Sequence, residues 1–149
     1  MAVERWMALD VGDKTVGVAI SDALGITAQG ITTVQRQSWA QDLAELKRLA
    51  TEHDVTGLVV GLPLNMDGTE GERCQKSRAF AERAGAALGV PVELWDERLT
   101  TAEVNRVLLA ADVRRDKRKQ VVDKLAAQVI LQGFLESRSA RDLQGWDPD

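Results

Sequence analysis

The stretch Trp6-Met7-Ala8-Leu9-Asp10-Val11-Gly12-Asp13-Lys14-Thr15-Val16-Gly17-Val18-Ala19-Ile20 decides how the rest of the chain is read. Trp6 to Leu9 is a short apolar run, the pattern of a strand buried on both faces. Asp10 to Thr15 is polar, contains Gly12 and predicts a tight turn. Val16 to Ile20 is apolar again and predicts a second strand. A third strand is expected over about Ile26 to Val34, where Ile31, Thr32, Thr33 and Val34 are β-branched. Three strands joined by short turns predict an antiparallel meander.

After the meander the period changes. Ser38 with Gln41 forms a capping box, and Trp39, Leu43, Leu46 and Ala50 follow at helical spacing. Val55 to Leu62 reads as a buried strand. Thr69 with Glu72 predicts a second capping box and a helix to about Leu88, ended by Gly89 and barred from continuing by Pro91. Val92 to Trp95 is a fifth short strand. Thr100 with Glu103 predicts a third capped helix, with Val104, Val107, Leu108 and Ala111 on one face. A last helix is expected from about Lys119 to Ser137. The order βββαβαβαα predicts an α/β fold: a five-stranded mixed sheet with helices on its faces. No internal repeat, low-complexity tract or linker divides the chain. It reads as one domain over 1–138 and a polar C-terminal tail over 139–149, which carries Gly145 and Pro148.

The totals narrow the class. At 149 residues the chain is long enough to bury a real core. Its 44% hydrophobic and 28% charged residues argue against disorder. One cysteine, Cys74, excludes an intrachain disulfide and suits a reducing cytoplasm. No apolar run reaches the roughly 20 residues of a membrane span, and the start, Met1 to Trp6, has no signal-peptide core. The expected location is cytoplasmic, with no membrane partner. A net charge of −4 weighs against coating nucleic acid by bulk charge. The run Arg114-Arg115-Asp116-Lys117-Arg118-Lys119, however, packs five cations into six positions.

The acids carry the chemistry. Asp10 closes the first strand, at the kind of sheet edge where α/β proteins build sites; the competing reading is a plain turn. Asp96 and Glu97 repeat the arrangement after the fifth strand, and spacing alone does not choose between them. Asp123 lies on the last helix with Ala126, Ala127, Ile130 and Phe134 at i+3, i+4, i+7 and i+11, which sets a carboxylate on the apolar stripe. Such an acid is costly unless paired or bound to metal. The alternatives are a first-turn acid favouring the helix dipole, or a pair with Lys119. Three acids from two strand ends and a helix suit two hard divalent cations, Mg²⁺ or Mn²⁺. Two such ions roughly 4 Å apart serve an in-line phosphodiester displacement. Neither histidine nor cysteine is required: His53 reads as a helix-end or exposed residue and Cys74 as a partly buried structural one. Trp6, Trp39 and Trp95 read as core.

Four segments carry a specific resemblance. Ala8-Leu9-Asp10-Val11-Gly12-Asp13-Lys14-Thr15-Val16-Gly17-Val18-Ala19, Gly61-Leu62-Pro63-Leu64-Asn65-Met66-Asp67-Gly68, Asp96-Glu97-Arg98-Leu99-Thr100-Thr101 and Asp123-Lys124-Leu125-Ala126-Ala127-Gln128 occur in this order. Together they resemble the YqgF/RuvX family, bacterial proteins related to the Holliday junction resolvase RuvC. The resemblance covers about Trp6 to Glu136. It implies a ribonuclease H-like fold and a metal-binding catalytic set of Asp10, Glu97 and Asp123, favouring Glu97 over Asp96. It also implies nuclease processing of the 5′ end of precursor 16S ribosomal RNA, the family having also been named resolvases for its similarity to RuvC. Thr15 departs from the pattern, since a basic residue is common there. RuvC-type sites use a fourth acid, for which Asp13 and Asp96 are the candidates.

The remaining motifs are read as substrate contacts. The loop from Gly61 to Gly68 leads toward a helix N-terminus, with Asn65 the expected contact and an ordinary connection the competing reading. Lys14 and Arg98 lie beside acids and are expected to hold phosphate oxygens; a salt bridge is the commoner fate of a single cation. Arg114, Arg115, Lys117, Arg118 and Lys119 precede the Asp123 helix and are expected to bind nucleic-acid backbone, not bases. The expected partner is structured RNA or branched DNA, bound by a monomer or weak homodimer. Three other readings compete. Cleavage of branched DNA needs two symmetric cuts. An actin- or sugar-kinase-like ATPase needs a second lobe. A non-catalytic RNA-binding assembly factor would not need all three acids.

Overall fold

In the computed structural model, residues 4–99 and 115–144 are described, and within the last helix the side chains of 124–138. The meander forms as expected. Strands β1 (Trp6–Val11), β2 (Thr15–Ser21) and β3 (Ala28–Gln35) pair antiparallel, with Asp10 opposite Gly17 and Val16 opposite Val34. Strands β4 (Gly57–Leu62) and β5 (Val92–Asp96) then add parallel to β1, giving the order β3-β2-β1-β4-β5. The expected third capped helix, from Thr100 to Ala111, lies outside the described residues.

The alternation of β1 assigns its neighbours. Met7, Leu9 and Val11 face one side, where helices α1 (Trp39–Glu52) and α2 (Glu72–Leu88) cover them with Leu46, Leu49, Phe80, Ala81 and Ala84. Trp6 and Ala8 face the other side, where α3 (Arg115–Gln144) supplies Ala127, Ile130, Leu131, Phe134 and Leu135. The sheet is thus sandwiched between helices, and burying both faces explains the unbroken apolar runs of β1 and β4.

Local chemistry sets the helix ends, with two departures from expectation. Ser38 caps α1 as predicted, its Oγ accepting from the Gln41 amide at 3.2 Å, and Gly89 closes α2 in the left-handed conformation. The Thr69–Glu72 capping box does not form. The cap is Gly71, without a side-chain bond: Asp67 accepts the Thr69 amide at 2.9 Å, and the Thr69 hydroxyl oxygen accepts from Asn65 Nδ2 at 3.0 Å. Helix α3 is longer than its apolar stripe predicts. It begins at Arg115 and runs to Gln144, so the basic run opens the helix and does not precede it.

Trp39 also departs from expectation. It is 36% exposed, lying over Phe80 at 5.4 Å between ring centroids, at the very start of α1. Trp6 is buried against Phe134, and Trp95 packs against the same cluster.

Candidate active site

The parallel strands bring the acids together. Leu9 pairs with Val60 across β1 and β4, so one step on Asp10 stands beside Gly61, which in turn pairs with Trp95 of β5. These three positions share the face that α3 covers. Glu97, two residues past Trp95, opens a short 3₁₀ turn at Glu97–Leu99 and returns to that face. β1 and β5 flank β4, roughly 10 Å apart at ~4.8 Å per strand, and the Glu97 side chain crosses that gap over Gly61. A Cβ at Gly61 would stand 2.8 Å from Glu97 Cγ, Glu97 Oε1 and Ile130 Cδ1. Glycine at this position is what lets the glutamate reach Asp10.

Glu97 and Asp10 are hydrogen-bonded through their side chains. Burial, that hydrogen bond and the charge of Asp10 push the Glu97 carboxyl up to about 9, while Arg73 pulls it down and Asp96 adds to the rise. Two carboxylates this close keep a proton between them, and a hard cation coordinated by both would replace it. The donor set is oxygen only, which fits Mg²⁺ or Mn²⁺. Among the described residues no group of three metal-ligating side chains gathers.

The third acid of the expected set, Asp123, lies on the described backbone of α3, though its side chain is outside the described residues. Phe134 packs on Trp6 at the start of β1, and Arg138 pairs with Glu4 at 3.1 Å, so α3 runs antiparallel to β1. From Phe134 back to Asp123 the helix climbs roughly 16 Å at ~1.5 Å per residue. From Trp6 to Asp10 the strand climbs roughly 13 Å at ~3.3 Å per residue. The backbone of Asp123 therefore comes level with the Asp10 end of the sheet. The close approach of α3 to β3 depends on Gly30, where a Cβ would meet Lys124 Cγ at 2.7 Å.

The expected substrate contacts divide. Lys14 is exposed in the turn after β1. Arg98 is engaged by Asp96, its Nη2 and Nε donating to Asp96 Oδ2 at 2.7 and 2.9 Å, and its Nη1 reaches the Met66 carbonyl at 3.4 Å. That guanidinium holds the Asp96 carboxyl below the usual carboxylate range. Asn65 closes its own loop: its Nδ2 donates to Thr69 Oγ1 at 3.0 Å, and its backbone bonds Thr69 and Gly68. Arg115, Lys117, Arg118 and Lys119 lie on α3 with side chains outside the described residues, and Arg114 lies outside them altogether. Of the two candidates for a fourth acid, Asp96 is paired with Arg98, and Asp13 is exposed with Lys76 Nζ at 3.5 Å. Thr15 is buried where β2 begins, its carbonyl accepting from Gly12 N at 2.8 Å.

Two contributors escape a sequence reading. Gly61 looks like part of a loop motif, but its role is steric. Arg73, on the first turn of α2, is the cation whose charge acts on Glu97. Its only sequence signal is a position just after a helix start that follows a strand.

The family described as "RuvX: Holliday junction resolvase" matches residues 4–137. A protein of Myxococcus xanthus is 57% identical over 97% of this chain and 95% of its own length. One from Symbiobacterium thermophilum is 55% identical over 89% and 92%. One from Clostridium novyi is 52% identical over 89% and 98%. All three bear the name "Putative pre-16S rRNA nuclease". Among solved structures, RuvC of Thermus thermophilus in complex with a Holliday junction substrate superposes with a TM-score of 0.54 at 13% identity. That match covers 91% of this chain and 96% of that one, and it shows the shared ribonuclease H-like fold.

Proposed function

Because this chain belongs to the RuvX family, we propose that it is a metal-dependent nuclease. It hydrolyses phosphodiester bonds in the 5′-end processing of precursor 16S ribosomal RNA. The observation that carries this reading is the Glu97–Asp10 hydrogen bond over Gly61, at the C-terminal ends of the parallel strands β1, β4 and β5, where the charge of Arg73 on the first turn of α2 also acts.

Asp10 and Glu97 would hold the cation from the ends of β1 and β5, which flank β4, and Asp123 would complete the set from α3. Bound Mg²⁺ or Mn²⁺, as one ion or a pair, supplies Lewis-acid stabilisation of the phosphate and lowers the pKa of a coordinated water. To hold the ion, Asp10 and Glu97 would have to give up the proton that they share. Lys14 and the cations from Arg114 to Lys119 bind the RNA backbone and orient the scissile phosphate. Arg98 shares this role while tied to Asp96, and Asn65 shapes the loop that borders the site. The protein works in the cytoplasm as a monomer or weak homodimer. No helix among the described residues is long and apolar enough to cross a membrane.

The test is cleavage of labelled precursor 16S RNA and of a four-way DNA junction, side by side, in Mg²⁺ and in Mn²⁺. Wild type is expected to trim the RNA and Asp10→Asn to leave it intact. Symmetric junction cutting without RNA cleavage would reassign the protein to recombination. Equal activity in wild type and Asp10→Asn would remove the carboxylate mechanism.

A further inference from the structure

The structure places a line of cations and one exposed tryptophan along a path leading away from the acids. Arg73, Lys76, Phe80 and Arg83 fall at i, i+3, i+7 and i+10 of α2, a single stripe. Arg73 lies at the end nearest Glu97, on which its charge acts. Lys76 Nζ is 3.5 Å from Asp13 in the turn that follows β1. Phe80 is buried beneath Trp39, and the Arg83 guanidinium sits over the Trp39 ring at 4.3 Å. Arg36 joins the path from the other side. Its amide donates to the Lys14 carbonyl at 2.8 Å and its Nη1 to the Gly12 carbonyl at 3.1 Å, while its guanidinium lies 5.2 Å from the Trp39 ring.

Three features separate this stripe from an ordinary solvated helix face. First, Trp39 is a large aromatic left 36% exposed and flanked by two arginines; a stacked guanidinium keeps its N–H edge free for phosphate and is weakly hydrated. Second, Arg83 has no carboxylate partner among the described residues. Third, the acids near the path are weakly coupled or buried. Lys76 meets Asp13 and Glu72 only at 3.5 and 3.7 Å in the open, and Asp42 is buried, one oxygen facing Arg36 at 3.5 Å and the other accepting the Gln37 amide at 2.9 Å. From Arg73 to Arg83 the stripe extends roughly 15 Å at ~1.5 Å per residue, room for a few nucleotides of extended strand.

The geometry points to a track for single-stranded RNA flanking the cleaved bond. Arg73, Lys76 and Arg83 bind its phosphates, and the Arg36–Trp39–Arg83 stack offers a base-tolerant platform. Aromatic and guanidinium planes combined with a cationic groove are how unpaired strands are held without sequence readout. The inference deepens the nuclease reading and rests on it for the direction of the path, but the binding it describes is measurable without cleavage.

Binding is measured in an Asp10→Asn background with two RNAs that share one duplex, one of them carrying a single-stranded extension. The extension is expected to tighten binding. Arg83→Ala is expected to weaken the extended RNA roughly five- to tenfold and to lower its salt slope by about 0.7, the loss of one single-strand phosphate contact. The blunt duplex should bind as before. Arg83→Lys is expected to keep the slope and recover part of the affinity. Lys76→Ala repeats the test on a second exposed residue, and an unchanged urea midpoint in each variant shows that the fold is kept. Unchanged binding of the extended RNA in both variants overturns the track, as does an equal loss on both RNAs. If wild type cleaves no RNA but the extension-specific loss remains, the track stands and the nuclease reading fails. If wild type cleaves and the variants bind the extended RNA normally, the track fails and the nuclease reading stands.

Discussion

The carboxyl of Glu97 reaches the carboxyl of Asp10 across the bare backbone of Gly61 and shares a hydrogen bond with it. One of the two is therefore protonated at neutral pH in the metal-free protein, and the pair is poised to lose that proton.

Replacing the proton-holder with an isosteric amide separates stability from activity. The Glu97 carboxyl is pushed up to about 9 in the folded chain, from 4.5 for a free side chain. Below 4.5 both folded and unfolded states hold the proton, and nothing depends on pH. Between 4.5 and about 9 the unfolded state releases the proton while the folded state keeps it, so stability falls as pH rises through that window. Glu97→Gln removes this loss. Its unfolding free energy in urea is expected to match wild type at pH 4 and to exceed it at pH 8, by on the order of 1–3 kcal/mol. Nuclease activity is expected to drop on the order of 100-fold or more if Glu97 is the metal ligand proposed above. A variant with wild-type stability at pH 8 would show that the proton is not held there.

Cation uptake follows from the same pair. If Asp10 and Glu97 coordinate Mg²⁺ or Mn²⁺ together, both must be ionised, and binding near pH 7 releases about one proton. Calorimetry in buffers of different ionisation enthalpy measures this directly. The observed heat is expected to vary with buffer, and affinity to rise with pH up to about 9, in line with the raised Glu97 carboxyl. Buffer-independent heat would mean that the metal site does not include the protonated partner.

Gly61→Ala tests the steric argument. The new methyl would meet Glu97 Cγ and Oε1 and Ile130 Cδ1, all at 2.8 Å. Ile130 is fully buried, so relief falls mainly on Glu97. The expected outcome is a stability cost of about 1–3 kcal/mol by urea unfolding. Catalysis should fall more than that cost explains, at least about tenfold in kcat. Gly57→Ala is the comparison: it crowds the Trp6 ring, at the opposite end of β4 from the acids, and should reduce stability with less effect on turnover. Equal turnover losses in the two variants would remove the special role of Gly61.

The parts of this arrangement legible in the sequence are those written in local pattern. The apolar runs around Asp10 mark the meander, Ser38 and Gln41 mark the start of α1, and Gly89 marks the end of α2, because each depends only on near neighbours. Choosing Glu97 over Asp96 needed the family resemblance. In the structure Asp96 pairs with Arg98, while Glu97 crosses Gly61 toward Asp10. Gly61 and Arg73 were illegible as site residues because their roles arise only where the end of β4 meets the turn after β5. Trp39 was misread because helical spacing groups it with Leu43 and Leu46. Spacing does not reveal that the first residue of α1 stays partly exposed over Phe80. The Thr69 box failed because Asp67 takes the Thr69 amide in place of Glu72, and the Asn65 amide donates to the Thr69 hydroxyl oxygen that would have capped the helix.

The pairing of Asp96 with Arg98 sets up the last prediction. Two roles are open to Asp96: a further ligand for the cation, or an anchor that holds Arg98 in place for the substrate. They differ in how the two residues couple. As an anchor, Asp96 acts only through the guanidinium that it binds at 2.7 and 2.9 Å. Asp96→Asn and Arg98→Ala should then each raise KM with little change in kcat, and the double variant should be no worse than Arg98→Ala alone. As a ligand, Asp96→Asn should instead lower kcat and weaken metal binding whether or not Arg98 is present. The geometry favours the anchor: Asp96 Oδ1 also accepts from the Arg98 amide at 3.0 Å and from its Nε at 3.1 Å, which ties the carboxylate to its own turn. Both residues are partly solvated, so neither variant should cost more than about 1 kcal/mol of stability. Steady-state kinetics of the two single variants and the double variant decide the matter, and a kcat loss confined to the Asp96 variants would assign it to the metal.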